Sequence, residues 1–123
     1  MSIQKILVTG ANGQLGWELS QLAASYPKYQ FVMVDRSVLD LSKPETIHSV
    51  LDTIAPDVII NPAAYTAVDK AETEKELAYT INAKSVEVMA VYAAAKHIPF
   101  ISYSTDYVFT GDASSPYTTD TTI

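Results

Sequence analysis

The feature that most constrains the fold of this chain is the segment TGANGQLG, with glycines at positions 10, 13 and 16. It follows the apolar, β-branched run Lys5–Thr9 and precedes leucines at helical spacing, so it joins a buried strand to a helix. Gly10 permits a tight turn, Gly13 lets a ligand approach the backbone, and Gly16 lets the helix pack closely on the strand. The segment therefore predicts a strand–turn–helix unit that binds phosphate groups.

The same segment is also compatible with a glycine-rich turn that binds no ligand. Its Gly-x-x-Gly-x-x-Gly spacing differs from the Gly-x-Gly-x-x-Gly of many dehydrogenases. Its position between a strand and a helix nevertheless favours a dinucleotide site, with the amides of Gln14 and Leu15 directed at a pyrophosphate. A Walker-type phosphate loop is excluded because no Gly-Lys-Ser or Gly-Lys-Thr follows.

An acidic residue ends the second apolar run, FVMVD. Asp35 lies nineteen residues after Gly16, close to the spacing of about 20 residues at which a carboxylate accepts from the 2′-hydroxyl of adenosine. That carboxylate favours NAD, whereas the adjacent Arg36 can offer a guanidinium to the 2′-phosphate of NADP. The pair leaves NAD and NADP both open, and a solvated strand-end carboxylate is the simpler alternative. Asp40 either borders the adenine or merely precedes the next helix.

Strands and helices alternate along the chain. Short apolar runs at residues 5–9, 31–35, 57–61 and 100–104 predict four strands. Helices are predicted over residues 14–25, over residues 47–54 after a Ser-x-x-Glu capping box at Ser42, and from residue 72 or 74 to residue 96 or 97. This pattern predicts an α/β fold, a Rossmann-like doubly wound parallel sheet in three α/β/α layers. We expect the strand order 3-2-1-4 and an incomplete sheet with an exposed apolar edge.

Composition excludes several classes of function. A net charge of −6 without any run of Lys or Arg argues against nucleic acid or an anionic membrane as a partner. The chain has no cysteine, which excludes disulfides, cysteine-ligated zinc and thiol chemistry and is compatible with the cytoplasmic location that we expect. Its apolar runs are too short for a signal-peptide core or a membrane span.

Small and polar residues follow the third and fourth strands. Ligands of open parallel sheets bind outside the carboxyl ends of the strands, so NPAAYT and YSTD are expected to line one crevice with the glycine segment. Ala63 and Ala64 let the chain pass close to a ribose and nicotinamide, although a plain loop explains them equally well. The hydroxyl of Ser104 or Thr105 can donate to a substrate carbonyl oxygen as charge develops on it, and strand-end capping is the alternative. Asn82 either holds a backbone bulge near the site or faces solvent.

Three segments in order, TGANGQLGWEL, DVIINPAAYTAVDKAE and STDYVF, resemble the N-terminal part of the dTDP-4-dehydrorhamnose reductase family, which belongs to the extended short-chain dehydrogenase/reductases. The resemblance covers essentially the whole chain, and the last two segments are much more specific than the glycines. It implies NAD(P)H-dependent reduction of the 4-keto group of dTDP-4-dehydro-L-rhamnose to dTDP-L-rhamnose, for cell-surface polysaccharide. It also implies a dTDP-sugar as the substrate and a homodimer as one assembly.

The resemblance carries roles onto individual residues. It makes Thr105 the catalytic hydroxyl of a Thr/Tyr/Lys triad and assigns substrate contacts to Thr105, Asp106, Val68 and Tyr107. Glu18 matches an acidic position through which some members share Mg²⁺ at a dimer contact, and a plain exposed helix glutamate is the alternative. With the residues argued above, the predicted cofactor-binding residues are Gly10, Asn12, Gly13, Gln14, Leu15, Gly16, Asp35, Arg36, Asp40, Leu41, Ala63, Ala64, Tyr65 and Thr66.

The family's catalytic Tyr and Lys lie in a Tyr-x-x-x-Lys motif on a later helix. We expect residues 1–123 to be the N-terminal NAD(P)-binding Rossmann domain, truncated before that motif and before the substrate-binding part, and therefore inactive alone. One alternative is a non-catalytic, NAD(P)-binding regulatory subunit on the same scaffold. Another is a different nucleotide-sugar epimerase or dehydratase, which TAVDKAE and STDYVF disfavour.

Overall fold

The computed structural model describes residues 4–64, 73–103, 111–112 and 114–120. Strands and helices alternate in it as predicted, including all four predicted strands. The elements are β1 (Gln4–Val8), α1 (Gln14–Ala23), β2 (Tyr29–Met33), a 3₁₀ turn (Pro44–Thr46), α2 (Ile47–Ile54), β3 (Val58–Asn61), α3 (Lys75–Tyr79), a π turn (Thr80–Lys84), α4 (Ser85–Lys96) and β4 (Phe100–Ser102).

The four strands form one parallel sheet in the order β2-β1-β3-β4. The parallel Rossmann-like architecture is confirmed, but the predicted order 3-2-1-4 is wrong, because β3 pairs with β1 and β4 pairs with β3. Burial explains the difference. Leu7, Val8 and Ile59 are fully buried, and only an interior position covers both faces of such apolar strands. The polar start of β2 is exposed and suits an edge.

The helices cover the two faces of the sheet unequally. On one face α2 and α4 pack together over a core that includes Leu7 of β1 and Ile59 of β3. Helix α1 contributes nothing to this core and lies against β2. The connection from β1 to β2 and the connection from β2 to β3 run across the sheet in opposite directions. Because right-handed crossovers in opposite directions lie on opposite faces, α1 covers the other face. The buried core residues are Leu7, Val34, Leu39, Leu41, Ile47, Leu51, Ile59, Met89, Tyr92 and Ala93.

The segment between β2 and α2 forms turns rather than a further strand, and it buries Leu39 and Leu41 in the core. The predicted capping box at Ser42 is wrong. The Ser42 hydroxyl donates to Asp40 Oδ1 at 2.6 Å, and the 3₁₀ turn begins after Lys43 without a side-chain cap. The Ser42 hydroxyl is bound to the carboxylate of Asp40, two residues before it, and does not cap the helix.

Asn82 lies in the π turn between α3 and α4, which is a backbone bulge within the predicted long helix. Its side chain is exposed. The next helix begins with Ser85, whose buried hydroxyl donates to the Leu41 carbonyl at 2.5 Å. This hydrogen bond joins the start of α4 to the segment that follows β2. No helix among the described residues is long and apolar enough to cross a membrane.

Apolar side chains remain exposed on the α1 side of the sheet. Strand β4 is an edge strand, as predicted, and its Ile101 keeps 44% of its surface exposed. Leu15 and Leu22 of α1 are also exposed, at 37% and 46%. Among the described residues, α1 is the one helix on this face, and it leaves these apolar side chains exposed.

Leu51 offers a test of this core. It is fully buried on α2, so Leu51→Ala should lower the free energy of unfolding by about 2–5 kcal/mol through lost contacts and a residual cavity. Val91→Ala is the matched control, since Val91 is 62% exposed on α4, and it should change stability by less than about 0.5 kcal/mol. Urea denaturation followed by circular dichroism measures both, and equal effects would contradict the assignment of this core.

Candidate functional site

A cavity of about 660 Å³ opens at the carboxyl ends of β1, β2 and β3. The structure brings to it every predicted cofactor-binding residue that it describes, except Asp40 and Leu41. It also adds Pro62, which the sequence analysis did not include. The lining residues are Gly10, Asn12, Gly13, Gln14, Leu15, Gly16, Asp35, Arg36, Pro62, Ala63 and Ala64.

The three glycines of the turn meet different surroundings. Gly10 has a φ of +58°, and a Cβ there would lie 3.0 Å from Ala63 Cα. A Cβ on Gly16 would lie 2.2 Å from the Gly10 carbonyl oxygen, which no real side chain tolerates. A Cβ on Gly13 would meet only the Gly10 oxygen, at 3.2 Å. Gly10 and Gly16 are thus required by the fold itself, whereas Gly13 leaves space in the cavity wall for a ligand.

Helix α1 points its N-terminus into the same cavity. Its N-cap residue is Gly13, which has no side chain to accept from the first-turn amides, and the first turn contains no acidic residue. The free amides and the helix dipole give this end a partial positive charge. Gln14 and Leu15 line the cavity at this point. The geometry suits a phosphate group, as the sequence predicts.

Asp35 faces the cavity from the end of β2 and is held by neighbouring donors. Its Oδ1 accepts from the Ser37 amide at 2.9 Å and from the Ser37 hydroxyl at 2.5 Å. Its Oδ2 accepts from Asn12 Nδ2 at 3.4 Å. These hydrogen bonds lower the pKa of Asp35, and those from Ser37 have the largest effect. The carboxylate therefore stays ionised at neutral pH and leaves Oδ2 largely available to a ligand hydroxyl.

Asp40 and Leu41 lie outside the cavity lining. Asp40 Oδ1 accepts from the Ser42 amide and hydroxyl, and these hydrogen bonds lower its pKa, with smaller contributions from the charges of Arg36 and Lys43. Leu41 is buried in the core. Their predicted place beside the adenine therefore has no support in the geometry of this cavity.

Two buried polar residues that the sequence analysis did not identify stand behind the cavity wall. Thr9, directly before Gly10, is 1% exposed, and Asn61, directly before Pro62, is 2% exposed. The Thr9 hydroxyl donates to Asn61 Oδ1 at 2.5 Å. Asn61 Nδ2 has no partner among the residues the structure describes. A buried donor without a partner costs about 1–3 kcal/mol of stability. The only sequence signal for this pair is that a polar residue ends each of two buried strands.

Six predicted site residues lie outside the described part of the chain: Tyr65, Thr66, Val68, Thr105, Asp106 and Tyr107. Their roles stay predictions. The strands that precede them do end side by side, because Asn61 of β3 pairs with Ser102 of β4.

One pair in the chain, which the sequence analysis overlooked, has the Tyr-x-x-x-Lys spacing: Tyr92 and Lys96 of α4. Tyr92 is 4% exposed and its hydroxyl donates to the Leu51 carbonyl at 3.2 Å, inside the core. Burial raises its pKa, which is the opposite of what a proton donor needs. Lys96 Nζ lies 5.8 Å from the centre of the Tyr92 ring. Neither residue lines the cavity, so this pair is structural.

Glu18 is an exposed residue of α1. Among the described residues no group of three or more His, Cys, Asp or Glu side chains is arranged to hold a metal ion. The predicted role of Glu18 requires a second subunit, and it stays a prediction.

The hydrogen bonds to Asp35 give a pH prediction. Ser37→Ala removes the shorter bond and should raise the pKa of Asp35 toward its ordinary value, measured by a carbon-detected NMR titration of the carboxyl group. Folding lowers the pKa of Asp35, so the ionised carboxylate stabilises the folded chain at pH values above its ordinary pKa. This stabilisation is lost as the pH falls through the lowered pKa of the folded chain. Ser20→Ala is the control, since the Ser20 hydroxyl bonds only the Trp17 carbonyl on α1. An unchanged Asp35 pKa in Ser37→Ala would contradict this account.

Comparison with known proteins gives consistent matches. The family described as RmlD substrate binding domain matches residues 4–123. A dTDP-4-dehydrorhamnose reductase of Burkholderia thailandensis is 50% identical over 115 residues, and one of Escherichia coli K12 is 44% identical over 116 residues. The matches cover 92% and 91% of this chain but only 37% and 38% of those proteins. This chain thus spans less than half the length of the curated relatives it matches.

Solved structures agree with these matches. The Clostridium acetobutylicum dTDP-4-dehydrorhamnose reductase superposes with a TM-score of 0.89 at 39% identity, over 98% of this chain and 42% of that one. The Bacillus anthracis enzyme, determined in complex with NADP, gives a TM-score of 0.83 at 38% identity, over 93% and 40%. With the family match over residues 4–123, these likenesses show that the chain belongs to the RmlD substrate binding domain family.

Proposed function

We propose that this chain is the N-terminal, cofactor-binding part of an NAD(P)H-dependent dTDP-4-dehydrorhamnose reductase. The whole enzyme reduces the 4-keto group of dTDP-4-dehydro-L-rhamnose to give dTDP-L-rhamnose. The observation that carries the proposal is the cavity in which the α1 N-terminus, the ionised Asp35 and the Ala63–Ala64 loop meet. Relatives that share this fold at 38–39% identity are dTDP-4-dehydrorhamnose reductases.

The residues present fit a dinucleotide. A side chain at position 13 would occupy the space beside the helix N-terminus, so glycine there leaves the amides of the first turn open to a pyrophosphate. Asp35 accepts from the hydroxyls of the adenosine ribose through Oδ2. Ala63 and Ala64 form the wall on which the nicotinamide ribose rests. Bound NAD(P)H supplies the hydride for reduction of the keto group.

The fixed carboxylate of Asp35 favours NADH over NADPH. It is ionised and restrained by Ser37 and Asn12, so it attracts a 2′-hydroxyl and repels a 2′-phosphate. Arg36 lines the same cavity and offers the phosphate a partner of opposite charge. We therefore propose that both cofactors bind and that NADH binds more tightly.

Thr105 supplies the substrate side of the proposal. It follows β4, whose Ser102 pairs with Asn61 of β3, directly before the cavity residue Pro62. Its hydroxyl donates to the 4-keto oxygen, which becomes negative as the carbon accepts hydride. The proton donor of this proposal is a Tyr in a part of the reductase outside residues 1–123, because Tyr92 alone among these residues has Lys four positions on and it is buried in the core.

A pair of glycine variants tests cofactor binding. Gly13→Ala is expected to fold, since its Cβ meets only one atom, at 3.2 Å, and to weaken NADH binding at least about ten-fold by crowding the pyrophosphate. Gly16→Ala is expected to unfold the chain at lower denaturant concentration, because its Cβ would lie 2.2 Å from the Gly10 oxygen. Calorimetric titration with NADH and urea denaturation measure the two effects. A wild-type chain that binds neither NADH nor NADPH would contradict the proposal.

Cofactor preference has its own test. Asp35→Asn removes the charge and should lower the ratio of the NADPH and NADH dissociation constants about ten-fold, by strengthening NADPH and weakening NADH. Asp52→Asn is the matched control, since Asp52 is exposed on α2 outside the cavity and should leave the ratio unchanged. Equal ratios in wild type and Asp35→Asn would show that Asp35 does not select the cofactor.

In the whole reductase, Thr105→Val should lower kcat about 10²–10³-fold, the usual effect of removing one donor to a developing oxyanion. Thr53→Val is the control, because Thr53 is exposed on α2 away from the cavity. Steady-state kinetics with the dTDP-4-keto sugar measures both. An unchanged kcat in Thr105→Val would remove this residue from the mechanism.

A further inference from the structure

We propose that Thr9 and Asn61 are positioning residues that hold the two loops of the cavity at a fixed separation, so that both halves of a dinucleotide bind as one unit. The inference rests on the proposed function, because it assigns the pair a role in binding NADH. It concerns residues behind the cavity wall that touch no ligand themselves.

The pair stands at the base of both loops. Thr9 directly follows β1 and leads into Gly10, and Asn61 ends β3 and leads into Pro62. Their side-chain hydrogen bond, at 2.5 Å, joins residues 52 positions apart in the chain. Within the described part of the chain it is the only side-chain hydrogen bond between the carboxyl ends of β1 and β3. A backbone bond from the Thr9 amide to the Ile60 carbonyl, at 3.1 Å, runs beside it.

The two loops that this bond joins serve different halves of the dinucleotide. The Gly10 turn faces the pyrophosphate, and the Ala63–Ala64 loop faces the nicotinamide ribose. They touch at their bases, since a Cβ on Gly10 would lie 3.0 Å from both Cα and Cβ of Ala63. A small change in the angle between the loops therefore alters the width of the cavity above that contact.

The composition of the pair indicates a role other than stability. Both side chains are buried, yet Asn61 Nδ2 has no partner among the residues described. Replacing both members of a buried hydrogen bond by apolar groups of similar shape is often neutral or stabilising. An apolar pair would serve the core at least as well, whereas only the hydrogen-bonded pair has the directional contact that fixes the loops relative to each other.

The experiment compares NADH with ADP as ligands of this chain by calorimetric titration. ADP carries the adenosine and pyrophosphate groups alone, so it contacts the Gly10 turn and Asp35 but not the Ala63–Ala64 loop. Thr9→Val should weaken NADH binding about five-fold, which is about 1 kcal/mol, and change ADP binding by less than about two-fold. Thr9→Ser keeps the hydroxyl and should bind NADH within about two-fold of wild type.

The double variant Thr9→Val/Asn61→Leu separates positioning from folding. It should unfold at a denaturant concentration no lower than that of wild type and still bind NADH about five-fold more weakly, with ADP unchanged. Equal losses of NADH and ADP, or no loss of either, would overturn the positioning role while leaving the proposed function in place. A wild-type chain that binds neither ligand would remove the proposed function and this inference with it.

Discussion

The architecture of the cavity depends on how closely α1 approaches the turn that precedes it. The helix lies so near this turn that a methyl group at position 16 would stand 2.2 Å from the Gly10 carbonyl oxygen. The same turn presses against Ala63, at the other side of the cavity. Three chain segments thus meet without room for one additional carbon atom. This contact brings the helix N-terminus and the loop after β3 into the lining of one cavity.

The electrostatics of the cavity follow from that arrangement. The N-terminus of α1 has no side-chain cap and no acidic residue in its first turn, so its amides remain available to an anion. The opposite charge lies at the end of β2, where Ser37 and Asn12 hold Asp35 ionised. A dinucleotide has a negative pyrophosphate, which suits the N-terminus of α1, and neutral ribose hydroxyls, which suit the carboxylate of Asp35. The cavity therefore matches the order of groups along such a ligand.

The order of the strands brings the buried polar pair together. Because β3 pairs with β1, the carboxyl ends of these two strands are neighbours, and Thr9, just after β1, can donate to Asn61. In the predicted order β2 would have separated β1 from β3, and no such contact would exist. The same order leaves β4 at the edge beside β3, with Ile101 exposed and, among the described helices, α1 alone on that side of the sheet. The site and the uncovered face thus have one origin in the topology.

The sequence by itself determined the elements, the glycine turn and the position of Asp35 at the end of β2. These depend on neighbours in the chain, since hydrophobic periodicity and the conformational freedom of glycine are local properties. Only the tertiary structure decided the strand order, the burial of Tyr92 and the bond between Thr9 and Asn61. An apolar strand has the same pattern at any interior position of a sheet. Residues 52 positions apart meet only where packing brings them together.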